Sequence, residues 1–237
     1  MQEVKIGCCG FCQSQKEYFK NFSVIELQNT FYQPPLKLKT VERLRKTAPS
    51  DFEFTIKAWQ LITHLPSSPT YRRLKEKIKN KENYGFFKPT KEVFKAFERI
   101  LEIAYILKSK IILFQTPPNF KEEKENIKNM QEFFKKADKN FIYVWEERGS
   151  WSKSTIKRLC KELNLIHCTD PFKKLPCWGD FYYFRLHGKT SYNYKYTEQE
   201  LRMLLEFIKK KKSYVMFNNV HMKESALKFK EIISEKL

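Results

Sequence analysis

Along the chain, short apolar runs alternate with longer stretches in which apolar residues recur every three or four positions. Eight runs end abruptly in polar residues and read as strands: Val4 to Cys8, Val24 to Asn29, Phe52 to Ala58, Lys110 to Gln115, Phe141 to Glu146, Leu165 to Cys168, Phe181 to Arg185 and Ser213 to Asn218. Runs such as IILF and YVMF lack polar alternation, the pattern of strands covered on both faces in a parallel sheet. The stretches between them predict helices. Val93 to Leu107 places Val93, Phe94, Phe97, Ile100, Leu101 and Ala104 on one stripe, which would pack on the sheet. Glu123 to Lys136, Ser154 to Leu163 and Lys223 to Leu237 follow the same rule. Thr197 and Glu200 have capping-box spacing ahead of Leu201, Leu204, Leu205 and Ile208.

Strand–helix alternation implies right-handed βαβ units in an α/β protein, and eight strands predict closure into a TIM-type (β/α)8 barrel. The segment Thr169 to Asp180 is too short and too Pro-bearing for a full helix, so one helix is expected to be missing between strands six and seven. An open doubly wound sheet is the alternative, but the first βα turn has no G-x-G-x-x-G. No Gly/Ser-rich linker interrupts the chain, so residues 1–237 read as a single barrel domain. Residues 65–90 form an excursion with seven Lys/Arg against two Glu. Long βα connections are often lids over a barrel's active face, and the plainer reading is a solvated insertion.

In such a barrel the site lies where strands end. Those positions supply Glu26, Glu146, Asp170 and His187 as candidate acid/base or metal-binding groups. Lys57, Arg148 and Arg185 are the candidate anion binders, with Gln28, Asn29, His64, Gln115, Asn218 and Asn219 to orient a substrate. Structural ion pairing among these carboxylates and cations is an equal expectation. Lys57 could also form a Schiff base if burial lowered its pKa. Tyr192, Tyr194 and Tyr196 could stack on bases or sugars, or merely roof the site. Cys9 and Cys12 form C-x-x-C, and with Cys168 and Cys177 they offer four thiols for zinc or an iron–sulfur cluster. Reduced thiols filling small gaps are the plainer reading.

The segments GCCGF, IELQNTFYQPP, FEFTIKAWQLITH, ILFQTPPNF, WEERGSW, YYFRLHGK and MFNN occur in the order of the YecE-like family, domain-of-unknown-function family 72, which the chain resembles over essentially its whole length. SPTYRR, TDPF and the Tyr192, Tyr194, Tyr196 series resemble the family's archaeal branch. The resemblance implies a TIM-type barrel with a site built from the matching motif residues, but no established reaction. Many relatives carry a His soon after the Arg of the fifth motif. Here Gly149 follows Arg148, so no role passes to such a His.

Composition adds the expected partners. There are 46 Lys and Arg against 27 Asp and Glu, a formal charge of +19, which favours anionic small molecules or nucleic acid. Lys-rich solvent faces that only aid solubility are the bland alternative. No apolar run approaches the length of a membrane span, and the first residues do not resemble a secretory signal, so the expected location is the cytoplasm. These features predict an enzyme acting on a phosphate- or carboxylate-bearing substrate, in its most concrete form a phosphodiester hydrolase assisted by a divalent metal. A non-catalytic nucleic-acid-binding barrel and a Cys-based metal protein are the competing readings.

Overall fold

The computed structural model describes residues 2–235. Eight parallel strands close into one barrel in chain order: β1 (Val4–Cys9), β2 (Val24–Leu27), β3 (Glu53–Lys57), β4 (Ile111–Gln115), β5 (Ile142–Glu146), β6 (Leu165–Thr169), β7 (Tyr182–Leu186) and β8 (Ser213–Phe217). Closure comes from β8 pairing with β1, with Val4 opposite Ser213 and Cys8 opposite Phe217. The α/β barrel expected from the strand–helix alternation is therefore the observed fold.

Helices α1 (Gln15–Asn21), α2 (Asn29–Tyr32), α3 (Leu38–Thr47), α4 (Gln60–Thr63), α5 (Lys91–Leu107), α6 (Lys124–Lys136), α7 (Lys153–Leu163), α8 (Glu198–Ile208) and α9 (Met222–Ser234) surround the strands. The four helices before α5 went unmarked in the sequence pattern. Two of them, α2 and α4, are single turns, too short for periodicity to show, and α1 buries only Tyr18 fully. The predicted end of the closing helix at Leu237 lies outside the described residues. As expected, no helix separates β6 from β7. The basic excursion contains only two short 3-10 turns, Pro69–Arg73 and Lys81–Asn83, rather than an inserted α-helix.

Because side chains alternate along a strand, each strand feeds two different cores. Outward residues such as Ile25, Phe54, Ile56, Phe114, Trp145 and Phe184 pack under the helices in one large aromatic-rich cluster. Inward residues Val24, Ile111, Leu113, Val144, Ile166, Cys168, Tyr183, Tyr214 and Met216 fill the barrel itself. Towards the C-terminal ends the inward positions turn polar, with Glu26, Lys57, Gln115, Glu146, Arg185 and Asn218 continuing the same phase. That phase places the candidate site. Among the described residues no helix is long and apolar enough to cross a membrane.

Candidate active site at the barrel mouth

Arg185 sits at the centre of the polar layer, with no exposed surface. It lies on β7, in the inward phase two residues after Tyr183. Its Nε and Nη2 donate to the two oxygens of Glu26 at 3.1 and 2.9 Å, a bidentate pair. Nη1 donates to Glu146 and, at 3.2 Å, to Gln115 Oε1. Tyr183 adds a hydrogen bond from its hydroxyl to Glu26 at 3.0 Å. The expected free anion anchor is thus a buried ion-pair hub. The reason is stereochemical: carboxylates from β2 and β5 reach the barrel axis from either side and saturate the guanidinium fork.

The second tier lies nearer the opening. Arg148, half-buried, pairs with Glu146 Oε1 at 2.9 Å and donates to His187 Nε2 at 2.6 Å. Burial opposes ionisation of Glu146, yet Arg185 and Arg148 hold its carboxyl well below the usual range. Burial, helped by the two guanidiniums and against the pull of Glu146, lowers His187 to about 3. The imidazole is therefore neutral. Since Nε2 accepts from Arg148, the proton belongs on Nδ1, which is buried and has no hydrogen-bond partner. Asp170 accepts the backbone N–H of His187 at 3.1 Å and that of Phe172 at 3.1 Å. Burial raises its pKa despite those bonds.

Lys57 ends β3 and is only 5 % exposed. Its ammonium donates to Gln115 Oε1 at 3.0 Å and lies 3.9 Å from the centroid of the Phe31 ring. Burial and the charge of Arg185 lower it to about 7, outweighing the attraction of Glu146 and Glu26. It makes no ion pair among the described residues, unlike its cationic neighbours.

The remaining candidates divide. Gln28 Nε2 donates to Asn218 Oδ1 at 2.9 Å, so both edge the mouth. Asn29 is exposed and opens α2 instead of ending β2, because Gln28 already has helical backbone angles. It lines a mainly apolar cavity of about 740 Å³ beside the mouth, between the β1–α1 connection and α3. His64 follows α4, is buried edge-on against Phe31, and is lowered to about 3 by burial and by Lys57. Asn219 points away from the mouth and donates to Tyr194 O at 2.6 Å, tying down the β7–α8 loop. Of the three tyrosines, Tyr196 is buried on the Gly188 N–H and Tyr194 bonds Glu200, leaving Tyr192, 56 % exposed, as a free ring.

The four thiols do not converge. Cys9 and Cys168 face the barrel interior, Cys12 lies against Cys8 with the sulfurs 3.7 Å apart, and Cys177 contacts His167. Among the described residues no cluster of three or more His, Cys, Asp or Glu is arranged to hold a metal ion. The central donor set does not fit a divalent cation, because Glu26 and Glu146 turn their oxygens onto a guanidinium that a metal would have to displace. Sequence reasoning passed over Phe31, whose ring backs Lys57, and His167, which sits mid-strand. For His167 the signal was an imidazole within the apolar run LIHCT.

No curated protein sequence matches this chain. Among solved structures, a DUF72 family protein from Thermotoga maritima is 21 % identical with a TM-score of 0.71, and the match covers 98 % of this chain and 100 % of that one. Another, from Enterococcus faecalis, is 19 % identical with a TM-score of 0.72 over 99 % and 98 % of the two chains. An endonuclease IV from Thermus thermophilus shares the barrel more distantly, at 10 % identity and a TM-score of 0.55 over 98 % and 99 %. The sequence profile described as "Protein of unknown function DUF72" matches residues 13–237, nearly the whole chain, and with the motif order and the closed barrel it establishes that this chain belongs to the DUF72 family.

Proposed function

We propose that the barrel mouth is an enzyme site for a small substrate bearing a phosphate or carboxylate, with Lys57 and Arg148 as the groups that meet the anion. The observation that carries this reading is the state of Lys57: a buried amine that touches a neutral amide and an aromatic face, while the nearby carboxylates Glu26 and Glu146 are committed to arginines and neither forms an ion pair with it. Leaving a buried ammonium uncompensated is costly. A ligand anion would supply a direct ion-pair partner and raise the pKa from about 7. Arg148 Nε and His187 Nδ1, just past the β5 and β7 ends, are further buried polar atoms without hydrogen-bond partners. Glu26, Glu146 and Arg185 form the rigid layer beneath, which positions Arg148 and His187 and does not itself contact the substrate.

With its pKa near neutrality, Lys57 is partly a free amine at physiological pH, the state a proton acceptor or a carbonyl nucleophile requires. The central carboxylates are committed to Arg185 and do not suit a divalent cation, which argues against a metal-assisted phosphodiester reaction at this centre. Nucleic acid stays among the substrate classes on account of the +19 charge and the basic excursion. A distant fold neighbour is named an endonuclease IV.

The test is calorimetric titration with inorganic phosphate, pyrophosphate and a short single-stranded oligonucleotide at low salt, on the native protein and on Lys57→Met. Anion affinity should fall at least about tenfold in the variant, the loss expected for removing a charged donor from a desolvated site. Absence of anion binding, or binding untouched by Lys57→Met, would refute the reading. Oligonucleotide binding that survives Lys57→Met would favour the non-catalytic nucleic-acid barrel.

A further inference from the structure

The missing helix between β6 and β7 exposes the outer face of β6 to its own connection. Residues 170–181 fold back there, with His167 N–H donating to Trp178 O at 3.0 Å. This brings three side chains into line outside the barrel and separate from its mouth. Glu147 follows inward-facing Glu146, and so it points outward. Its Oε2 lies 2.8 Å from His167 Nε2. On the other side of the ring, His167 Nδ1 lies 3.3 Å from Cys177 Sγ. Glu147 and His167 are buried, while Cys177 is half-buried and opens into a cleft of about 330 Å³. Lys157, Trp178, Tyr182 and Lys211 line that cleft.

We propose that Cys177 is a reactive thiol, with His167 as its base and Glu147 as the group that orients the base, and that it exchanges with anionic low-molecular-weight disulfides. Nucleophile, base and orienting carboxylate stand within hydrogen-bond reach of one another, the arrangement that activates a cysteine. The Cys177 backbone N–H also donates to His167 Nδ1, at 3.0 Å. That contact makes Nδ1 an acceptor and leaves the Nε2 proton for Glu147. Lys174 pairs with the second oxygen of Glu147.

In the exchange, the Cys177 proton passes to the lone pair of His167 Nδ1, which gives up the Cys177 backbone N–H as it does so, and the thiolate attacks one sulfur of R–S–S–R. The new bond from Cys177 Sγ to that sulfur forms as the S–S bond of the incoming disulfide breaks, and the second R–S group leaves as a thiolate, which takes the proton from His167. Cys177 is oxidised and the departing sulfur is reduced. Lys157 and Lys211 would attract the carboxylates of the incoming disulfide, and Trp178 would cover its apolar part. Burial pushes the Cys177 thiol up, but the His167 contact and Lys153 bring it below its ordinary value. Burial raises Cys160, which stays protonated and does not compete.

The experiment follows the rate of reaction of the folded protein with dithiobis(nitrobenzoate), an anionic disulfide, and with neutral dithiodipyridine across the pH range. Cys12, also half-buried and below its ordinary pKa, is the internal competitor. One fast thiol per chain is expected, lost in Cys177→Ser and kept in Cys12→Ser. At mildly acidic pH, Glu147→Gln and His167→Asn should each slow it about tenfold or more, with the pH midpoint moving up towards that of a free thiol. Added salt should slow the anionic reagent more than the neutral one. A fast phase that persists in Cys177→Ser overturns the proposal. So does a pH midpoint unchanged in Glu147→Gln, which would leave the three residues as a structural tie for the loop.

Discussion

Arg185 shows how one residue type serves opposite ends according to its neighbours. At a strand end its fork suits a substrate anion, but between Glu26 and Glu146 the same fork is consumed by the protein. Removing it would strand two buried carboxylates. Arg185→Met should therefore destabilise the fold by about 3–5 kcal/mol in denaturant unfolding. Arg185→Lys should not rescue it, because a single ammonium cannot bridge both carboxylates with fork geometry. Adding Glu26→Gln and Glu146→Gln to Arg185→Met should recover part of the loss, since no charge then remains unpaired. If Arg185→Met melts with the native protein, the hub is not structural. Gly149 illustrates a backbone constraint at the same rim, because a Cβ there would lie 2.2 Å from Phe120 O. The chain turns after Arg148 only because glycine lets it pass Phe120.

At the level of elements, helix ends fix how the loops reach the mouth. α8 begins with both halves of a capping box, Thr197 accepting from Glu200 N and Glu200 accepting from Thr197 N. Glu200 also binds Lys189 and the Tyr194 hydroxyl, so the cap is joined to the β7–α8 loop that carries Tyr192. Thr197→Ala should cost about 1 kcal/mol, measured by thermal unfolding. Glu200→Ala should cost more and speed amide exchange in residues 188–196. Equal effects from the two substitutions would mean that the cap and the loop are not linked. The absent helix after β6 has the converse effect: a loop replaces it, and the loop supplies Cys177.

For the whole molecule, pH is the clearest lever. His64 and His187 stand at about 3 in the fold against 6.5 when free, so the unfolded chain binds more protons between those values. The contribution of the two histidines is therefore fully present above about pH 6.5 and is lost as the pH drops towards 3, with Glu146 adding a further loss below its ordinary 4.5. A His64→Gln, His187→Asn double variant should flatten the melting-temperature curve between pH 6.5 and 4.5 and leave the steeper acid limb. Lys57 works at the other end. Its folded value of about 7 against 10.5 means that stability rises with pH across that interval. Lys57→Met should remove that rise, and an unaltered alkaline limb would show that Lys57 is not desolvated. The net charge of +19 acts on encounter with anions and leaves the fold's topology untouched.

Strand number, order and phase were legible in the chain because they rest on local periodicity: a buried parallel strand must be apolar on both faces, and its last inward residue meets solvent. From that rule alone Glu26, Lys57, Glu146, Arg185 and His187 belong to one cleft, and the structure brings them together there. Only tertiary structure decided which of them remain available. Pairing depends on distances across the barrel axis, which no sequence spacing encodes, so Arg185 became the hub while Lys57 was left without an ion-pair partner. The same holds for Asn219, turned outward by strand alternation one position beyond Asn218, and for His64, sealed behind Phe31 by a single helical turn. Cys177 and His167 lie ten positions apart, in a loop and a strand with no periodic relation. They meet because a connection too short for a helix has to cover the bare face of β6.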